Sequence, residues 1–157
     1  MALTKSEIKT AYPLPAYNYR VEIAGVAIGF SEVSGLSITR ETTTYKESPI
    51  AGGAPGPVVM NMPSQRGQPT LTLKKGLVKT ASIKALYSWI NSIQLNQVEK
   101  KDIYIRLCDE NGAAVISWKV INAFPKKLDA PSFSAASNDA AIESMELMAD
   151  NILVEEQ

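Results

Sequence analysis

The chain has 157 residues, which is the usual size of a single domain. Apolar residues make up 45% and charged residues 20%, a composition typical of a folded globular protein. Sixteen basic side chains balance sixteen acidic ones, so the chain carries no overall basic field for nucleic acid or anionic lipid. Histidine is absent and Cys108 is the single cysteine. Without the commonest general base and the commonest metal ligands, we expect no enzyme, no cofactor and no metal site.

The first residues, MALTKSEIKTAYPLP, lack the apolar core of a secretory signal. No apolar run is long enough for a transmembrane helix. We therefore expect a protein made in the cytoplasm without a signal peptide or a direct membrane anchor. Residues 1–157 are predicted to form one domain, with residues 1–17 as an N-terminal arm.

Alternating apolar and polar residues predict most of the chain to be β-strand. Gly25 indicates a tight turn after the first strand, and Asp109–Gly112 indicates a hairpin turn. The predicted strands are Asn18–Ala24, Val26–Phe30, Ser34–Lys46, Thr70–Val78, Ile103–Cys108, Val115–Phe124 and Ile142–Val154.

A segment rich in proline and glycine separates the third and fourth predicted strands. Residues 47–63 hold four of the nine prolines and three of the nine glycines. This composition predicts a long exposed loop inserted within the domain. No Lys-Ser/Thr follows its glycines at the spacing of a phosphate-binding loop, so a nucleotide site is not indicated.

One helix is predicted between residues 80 and 96, because apolar residues recur there every three or four positions. Thr80 or Ser82 is the expected N-cap and Asn96 the expected end. One helix cannot cover much sheet, so the predicted fold is mainly β (α+β), an antiparallel sandwich or barrel with one flanking α-helix. The predicted core residues are Ile83, Leu86, Ile90, Trp118 and Leu147.

Several predicted strands carry serine, threonine and charged residues on one face. The simplest interpretation is an antiparallel sheet with one face in water. The Thr-rich strand Ser34–Lys46 is long, however, and would leave a broad sheet with unpaired edges. Such edges pair with other chains, and edge-to-edge joining of subunits would close a large barrel around a water-filled bore.

At this point the sequence resembles a known family. The motifs are Tyr12-Pro13-Leu14-Pro15, Ser34-Gly35-Leu36, Met62-Pro63, Leu71–Gly76, the block Trp89–Ile103, Asn122–Pro125, Pro131-Ser132-Phe133, Ser137-Asn138 and Glu146–Asp150. They occur in order across nearly the whole chain. The chain resembles tail-tube proteins of contractile phages and of phage-derived contractile injection systems. It is most similar to inner-tube proteins of extracellular systems such as the antifeeding prophage and the Photorhabdus virulence cassettes.

The resemblance implies a haemolysin-coregulated-protein-like subunit that forms hexameric rings, which stack into a rigid hollow tube. Sheath contraction would drive this tube through a target envelope, with cargo in the lumen. The implied partners are further copies of the chain, the sheath protein, baseplate and spike proteins, and tube-terminating proteins. No sequence-specific nucleic acid is implied. The particle would form in bacterial cytoplasm and be released.

The resemblance also implies that each subunit gives two hairpins to a shared barrel, and a barrel of about 24 strands has a bore of roughly 40 Å. We assign them to Ser34–Lys46 with Thr70–Val78, and to Val115–Phe124 with Ile142–Asp150. Strict alternation then predicts a set of lumen-facing residues: Ser37, Thr39, Glu41, Thr43, Thr70, Thr72, Lys74, Ser117, Lys119, Ser144 and Glu146. The resemblance assigns ring stacking to the loop, with Glu47, Ser48, Pro49, Ile50, Pro55, Pro57 and Met60 as contacts.

Two alternatives remain open. A tube-initiator paralogue at the baseplate would share the fold but occur in few copies. A monomeric β-barrel that binds a lipid or sugar would instead contain a closed apolar pocket.

Overall fold

The computed structural model describes residues 2–53, 55–78 and 83–156. About half of these residues form antiparallel strands, and two helices flank them. The elements in chain order are α1 (Lys5–Ala11), β1 (Tyr19–Ile23), β2 (Val26–Ile28), β3 (Glu32–Ser34), β4 (Arg40–Glu47), β5 (Val58–Arg66), β6 (Thr70–Gly76), α2 (Ile83–Asn91), β7 (Lys101–Cys108), β8 (Ala114–Asp129), β9 (Ile142–Met148) and β10 (Asn151–Glu156).

The long strand β8 joins two groups of strands. Its first half pairs with β7 on one side and β10 on the other, and β7 continues to β1 and β2. Its second half pairs with β9, followed by β6 and β3. We call these groups the first sheet and the second sheet. Asn122, at φ 54°, lies where β8 passes from one sheet to the other.

One hydrophobic core lies between the two sheets. The second sheet contributes Leu71, Leu73, Met145 and Leu147, all at most 1% exposed. The first sheet contributes a second set, Val21, Ile23, Ile103, Ile105, Val120 and Ile152. Leu86 and Trp89 of α2 complete the core, and Trp89 Nε1 donates a hydrogen bond to the Glu99 carbonyl at 2.8 Å. Burying this much aliphatic surface is the main stabilising contribution to the fold.

Both predicted turns are present. Gly25 has φ +82° between β1 and β2, and Gly112 has φ +78° between β7 and β8. The Asp109 carboxylate accepts hydrogen bonds from the backbone N–H groups of Asn111 and Ala113, which fixes the second turn. A residue that carries no Cβ is favoured at these positive φ angles.

The predicted loop 47–63 is wrong in its second half, which forms β5. Val58–Arg66 pairs with β4, so the true loop covers only the residues between Glu47 and Val58. Pro63 suggested a loop, yet it lies in a strand, because it adjoins a register irregularity in a two-stranded hairpin, where proline is tolerated.

The predicted pairing of the two lining hairpins also needs correction. Ser34 does pair with Thr72, but Arg40–Glu47 pairs with Val58–Arg66 and not with β6. In the second hairpin, β9 pairs with Phe124–Asp129, whereas the preceding half of β8 pairs with β7 and β10. The predicted strand ended at Phe124, whereas β8 continues to Asp129.

The N-terminal arm contains helix α1, which the alternation analysis missed. Thr4 accepts a hydrogen bond from the Glu7 backbone N–H, and Glu7 accepts one from the Thr4 backbone N–H at 2.8 Å. This reciprocal pair is a capping box, and its Thr-x-x-Glu signature was available in the sequence. No residue of α1 is buried, and an exposed Lys9–Glu110 ion pair of 2.7 Å links it to the first sheet.

The predicted helix is present as α2, but it ends at Asn91 and not at Asn96. Asn96 instead has φ 56° in a tight turn between Gln94 and Gln97. The proposed N-caps Thr80 and Ser82 lie outside the described residues.

Candidate assembly surfaces

The second sheet has one polar face, opposite the core. In β6 and β9, buried leucine and methionine side chains alternate with half-exposed polar ones. The strand register brings these polar side chains side by side, with Thr72 opposite Glu146 and Lys74 opposite Ser144. We call this surface the polar face. It comprises Glu32, Ser34, Thr70, Thr72, Lys74, Lys127, Asp129, Ser144 and Glu146, with Lys126 beside Glu146 and the apolar residues Phe124, Ile142 and Met148 at its two ends.

Every lysine at the polar face has a carboxylate partner within the same subunit. Three ion pairs lie there, namely Lys74–Glu32 at 3.4 Å, Lys126–Glu146 at 3.9 Å and Lys127–Asp129 at 3.3 Å. Exposed pairs of this kind contribute little to stability. Their effect is to leave the polar face without local excess charge.

The polar face ends in two strand edges. β3 pairs only with β6, and the second half of β8 pairs only with β9, within the described part of the chain. Backbone N–H and C=O groups along such edges can pair with a strand of another chain. The strands alternate in direction, so β3 of one subunit and β8 of another would meet antiparallel.

Five of the predicted lumen residues share the polar face: Thr70, Thr72, Lys74, Ser144 and Glu146. Ser117 and Lys119 do not, because that half of β8 belongs to the first sheet. Ser117 is 0% exposed, and its hydroxyl accepts a hydrogen bond from Arg106 Nη1 at 3.3 Å. The prediction that Ser117 faces a bore is therefore wrong for the subunit as folded.

The remaining predicted lumen residues lie along β3, β4 and the segment between them. Ser37 and Thr39 are exposed but precede β4, and a register irregularity follows Arg40, where Glu41 lies opposite two residues of β5, Ser64 and Gln65. The extra residue therefore belongs to β5, and Glu41 and Thr43 keep the alternation of β4. Thr43 lies opposite Met62 and two residues from Tyr45, so it shares a face with apolar side chains.

Strands β4 and β5 form a hairpin that is separate from the rest of the fold. They contact each other and no other helix or strand of the described chain. We call this element the free hairpin. Directly paired residues lie on one face, so the register creates an apolar face and a polar face. The apolar face consists of Tyr45, Val58, Met60 and Met62, together with Thr43 and Glu47.

The opposite face of the free hairpin carries Thr44, Lys46, Val59 and Asn61. Thr44 Oγ1 donates a hydrogen bond to Asn61 Oδ1 at 3.0 Å. A two-stranded hairpin is marginally stable alone in water. The four large side chains on the apolar face of the hairpin are about half exposed, which is typical of a surface that another protein covers.

The predicted ring-stacking residues cluster on the free hairpin. Glu47 ends β4 and Met60 lies within β5. Ser48, Pro49, Ile50, Pro55 and Pro57 lie in the connecting loop. Ile50 is 99% exposed, so this loop presents an apolar side chain to its surroundings.

Two of the predicted core residues are buried and two are only partly buried. Leu147 is 0% and Leu86 4% exposed, whereas Trp118 packs partly buried against the core and Ile90 is half-buried. The side chain of Ile83 lies outside the described part of the structure.

The outer face of the first sheet is rich in charge. Glu22 joins Arg20 and Arg106, each through a 3.1 Å contact. Beside them, the Tyr104 hydroxyl raises the pKa of Lys119. This network lies on the opposite side of the subunit from the polar face.

Glu143 is the buried carboxyl that lacks a complete set of partners. It is 5% exposed, and its Oε1 has no hydrogen-bond partner among the described residues. Burial raises the pKa of Glu143, and nearby Lys75 partly offsets this increase. Lys75 itself donates a hydrogen bond to the Gly29 carbonyl at 2.8 Å.

An open cavity of about 370 Å³ lies at one end of the core. Its lining is mainly aliphatic and aromatic, with Tyr19, Val33, Leu36, Leu107 and Trp118 among the contacts. It is the region where a ligand of a monomeric binding module would lie.

Two kinds of site were not found among the described residues. No His, Cys, Asp or Glu side chains there group closely enough to hold a metal ion. No helix of residues 2–53, 55–78 and 83–156 is long and apolar enough to cross a membrane.

An antiparallel β-subunit with a polar face, open strand edges and an unsupported hairpin has the features of a protein that pairs with other chains through its sheets. The family model for the T4-like virus tail tube protein gp19 matches residues 15–152. The chain therefore belongs to this family of structural tail tube proteins. Among curated proteins, none is significantly similar in sequence.

Solved structures agree with the family. A chain of the PVC sheath-tube complex in the extended state, from an extracellular contractile injection system, is 39% identical with a TM-score of 0.87, covering 99% of this chain and 100% of that one. A chain of the anti-feeding prophage tube-terminating cap is 41% identical with a TM-score of 0.84, covering 100% of both. Hcp1 from Flavobacterium johnsoniae, at 19% identity and a TM-score of 0.51, shares the fold over 88% of this chain and 95% of its own.

These comparisons confirm the resemblance and the mainly β, antiparallel, Hcp-like fold. They also support the main functional prediction, that the chain is a tube subunit of a contractile injection system.

Proposed function

We propose that this chain forms hexameric rings that stack into the inner tube of an extracellular contractile injection system, with the polar face lining the bore. The observation that carries the proposal is the second sheet, which has four strands, one polar face and two open edges. Joining β3 of each subunit to β8 of the next would close a barrel of about 24 antiparallel strands.

The polar face suits a bore through which cargo moves. Its serine and threonine hydroxyls remain hydrated, and its lysines are neutralised by carboxylates of the same subunit. Such a surface offers a passing polypeptide no local excess of charge. Thr70, Thr72, Lys74, Ser144 and Glu146 are the residues we assign to the bore.

The free hairpin is the second assembly element. Its apolar face and the exposed Ile50 would lie against another copy of the chain in the stack, where six copies per ring act together. The sheath protein, the baseplate and spike, and the tube terminator are the proposed further partners, by analogy with the complexes that contain the similar chains.

Electron microscopy with light scattering tests the assembly directly. We expect rings or tubes with six-fold symmetry and a central hole, either from the purified protein or after addition of the neighbouring gene products. A protein that stays monomeric under both conditions would contradict the proposal and favour a monomeric ligand-binding module, for which the 370 Å³ cavity is the candidate site.

Cysteine labelling tests which face lines the bore. In a Cys108→Ala background, Thr72→Cys should react in assembled tubes with a small maleimide but not with a polymer-linked maleimide wider than the bore. Lys119→Cys, on the outer face of the first sheet, is the matched control and should react with both. Equal labelling of the two variants by the large reagent would contradict the assignment.

A tube-initiator role at the baseplate is distinguished by copy number. A bulk tube subunit should greatly outnumber spike and baseplate proteins in purified particles, as measured by quantitative mass spectrometry. A copy number close to that of the baseplate proteins would identify an initiator.

A further inference from the structure

The root of the free hairpin, which is the end where β4 begins and β5 ends, differs from the polar face in whether its charged side chains have partners. At the polar face each lysine has a carboxylate within 4 Å, as described above. At the root of the hairpin, Arg40 and Arg66 lie directly opposite each other on paired strands. Neither arginine has an ion pair with any carboxylate of the described chain.

Two like charges in this position oppose the pairing of the strands. Side chains directly opposite across an antiparallel pair have Cβ atoms about 5 Å apart, and like charges there are destabilising. Both arginines are exposed, and the neighbouring Glu41 makes no ion pair with either of them within the described residues. The folded subunit therefore presents two adjacent guanidinium groups that it does not itself neutralise.

We propose that Arg40 and Arg66 form a clamp for carboxylate groups on a second copy of this chain. This inference rests on the proposed tube assembly. A guanidinium group binds a carboxylate through two parallel hydrogen bonds, and two neighbouring guanidinium groups can hold one or two carboxylates in a fixed orientation. The clamp would fix how the hairpin of one subunit lies against the next.

A second copy is the favoured occupant because of where the clamp lies. The free hairpin contacts no other helix or strand of its own described chain, and its apolar face begins within a few residues of the two arginines. The protein that covers this apolar face would therefore adjoin the clamp. In a tube built from one kind of subunit, that protein is another copy.

The chain also supplies the complementary charge. Its net charge is zero, so unpaired arginines imply unpaired carboxylates elsewhere. Glu99 and Glu156 are exposed and form no ion pair within the described part of the chain. Glu156 lies on β10, a strand that pairs on one side only with β8. These two carboxylates are the first candidates for the partner groups.

Charge reversal tests the clamp. The double variant Arg40→Glu/Arg66→Glu places carboxylates against carboxylates, and we expect the protein concentration needed for tube growth to rise by about 100-fold. Arg40→Lys/Arg66→Lys keeps the charge and should raise this concentration far less. Thermal unfolding of the subunit should be the same for both variants and the wild type, because the arginines form no ion pair within the described residues.

Second-site reversal identifies the partner carboxylate. Adding Glu99→Arg or Glu156→Arg to the charge-reversed protein should restore growth if that residue occupies the clamp. Raising the salt concentration from about 50 to about 500 mM should also weaken wild-type assembly more than that of an Arg40→Gln/Arg66→Gln variant, because salt screens exposed charges.

Three results would overturn the clamp. If the wild type assembles and the charge-reversed variant assembles at the same concentration, the arginines make no contact between subunits. If that variant assembles normally but loses acidic cargo, the arginines face cargo instead. If the wild type fails to assemble even with neighbouring gene products, the proposed tube function fails first, and the clamp fails with it.

Discussion

The two packed sheets, which we call the body of the subunit, differ from the free hairpin in how far their apolar side chains are buried. In the body, two sheets enclose a core in which Leu147 and Val120 are 0% exposed. In the hairpin, strands of similar length carry apolar side chains that remain half exposed. The body therefore buries its apolar side chains within the subunit, whereas the hairpin leaves its own exposed, and we propose that assembly covers them. Substitutions in the two regions should separate subunit stability from tube formation.

The largest effect is expected for Leu147→Asp. This side chain is completely buried between the sheets, so the substitution removes apolar contacts and places a carboxylate in the core. We expect the free energy of unfolding to fall by about 4 kcal/mol or more, with loss of soluble protein. Soluble expression and urea unfolding measure this effect. Retention of a wild-type midpoint would show that this face of β9 is not the core face.

A smaller effect is expected for Gly35→Ala, at the junction between β3 and β4. Gly35 has φ +89°, and an added Cβ would collide with the Thr70 carbonyl oxygen. The strain should lower the free energy of unfolding by about 2 kcal/mol. Gly29→Ala is the matched control, because its φ is ordinary and its Cβ would meet open space. Equal urea midpoints for the two variants would contradict the described junction.

Glu143→Gln should stabilise the body by about 1 kcal/mol at pH 7, because a neutral group costs less to bury than a carboxylate. Burial raises the pKa of Glu143 above its ordinary value of 4.5. The stability that the protonated carboxyl contributes is fully present below pH 4.5 and is lost as pH rises through the folded-state pKa.

The advantage of Glu143→Gln over the wild type should therefore grow as pH rises from about 4.5 and then become constant. Urea unfolding of both proteins across this range measures the difference. Glu146→Gln, on the polar face, is the control for loss of an exposed carboxylate. A constant difference between the Glu143→Gln variant and the wild type at all pH values would exclude titration of this carboxyl as the cause.

The smallest effect on stability is expected for Met60→Asp in the free hairpin. The hairpin contacts no other element of the described chain, so the free energy of unfolding should change by less than about 0.5 kcal/mol. Tube growth should nevertheless be lost, because the carboxylate would be buried against another subunit. Val59→Asp, on the opposite face of the same strand, should impair growth less. Equal loss in both variants would mean that the two faces of the hairpin are covered alike.

The sequence predicted the body of the fold well where alternation is regular. In β6 and β9, Leu71, Leu73, Met145 and Leu147 are buried as the two-residue period requires, and Gly112 forms the expected turn. The prediction failed where the backbone is irregular. Alternation could not reveal the register shift after Arg40, nor the point near Asn122 where β8 leaves one sheet for the other.

Composition also misled the prediction of β5. Pro57, Pro63 and the nearby glycines suggested a loop, but the register of β4 requires a partner strand at Val58–Arg66. All nine residues of β5 are exposed, because neither face of the hairpin packs on the rest of the subunit. Its sequence therefore lacks the regular alternation of apolar and polar residues that marks a half-buried strand.

The sequence alone determined the class of the protein. Its regular strands, the absence of histidine, the balanced charge and the ordered set of family motifs are local properties that need no coordinates. The tertiary structure decided which residues share a surface. The surface on which a side chain lies depends on strand register, on bulges and on where β8 passes between the sheets. Each of these is fixed by contacts between residues far apart in the chain. Ser117, buried beneath Arg106 and not exposed in a bore, shows how far this can depart from alternation.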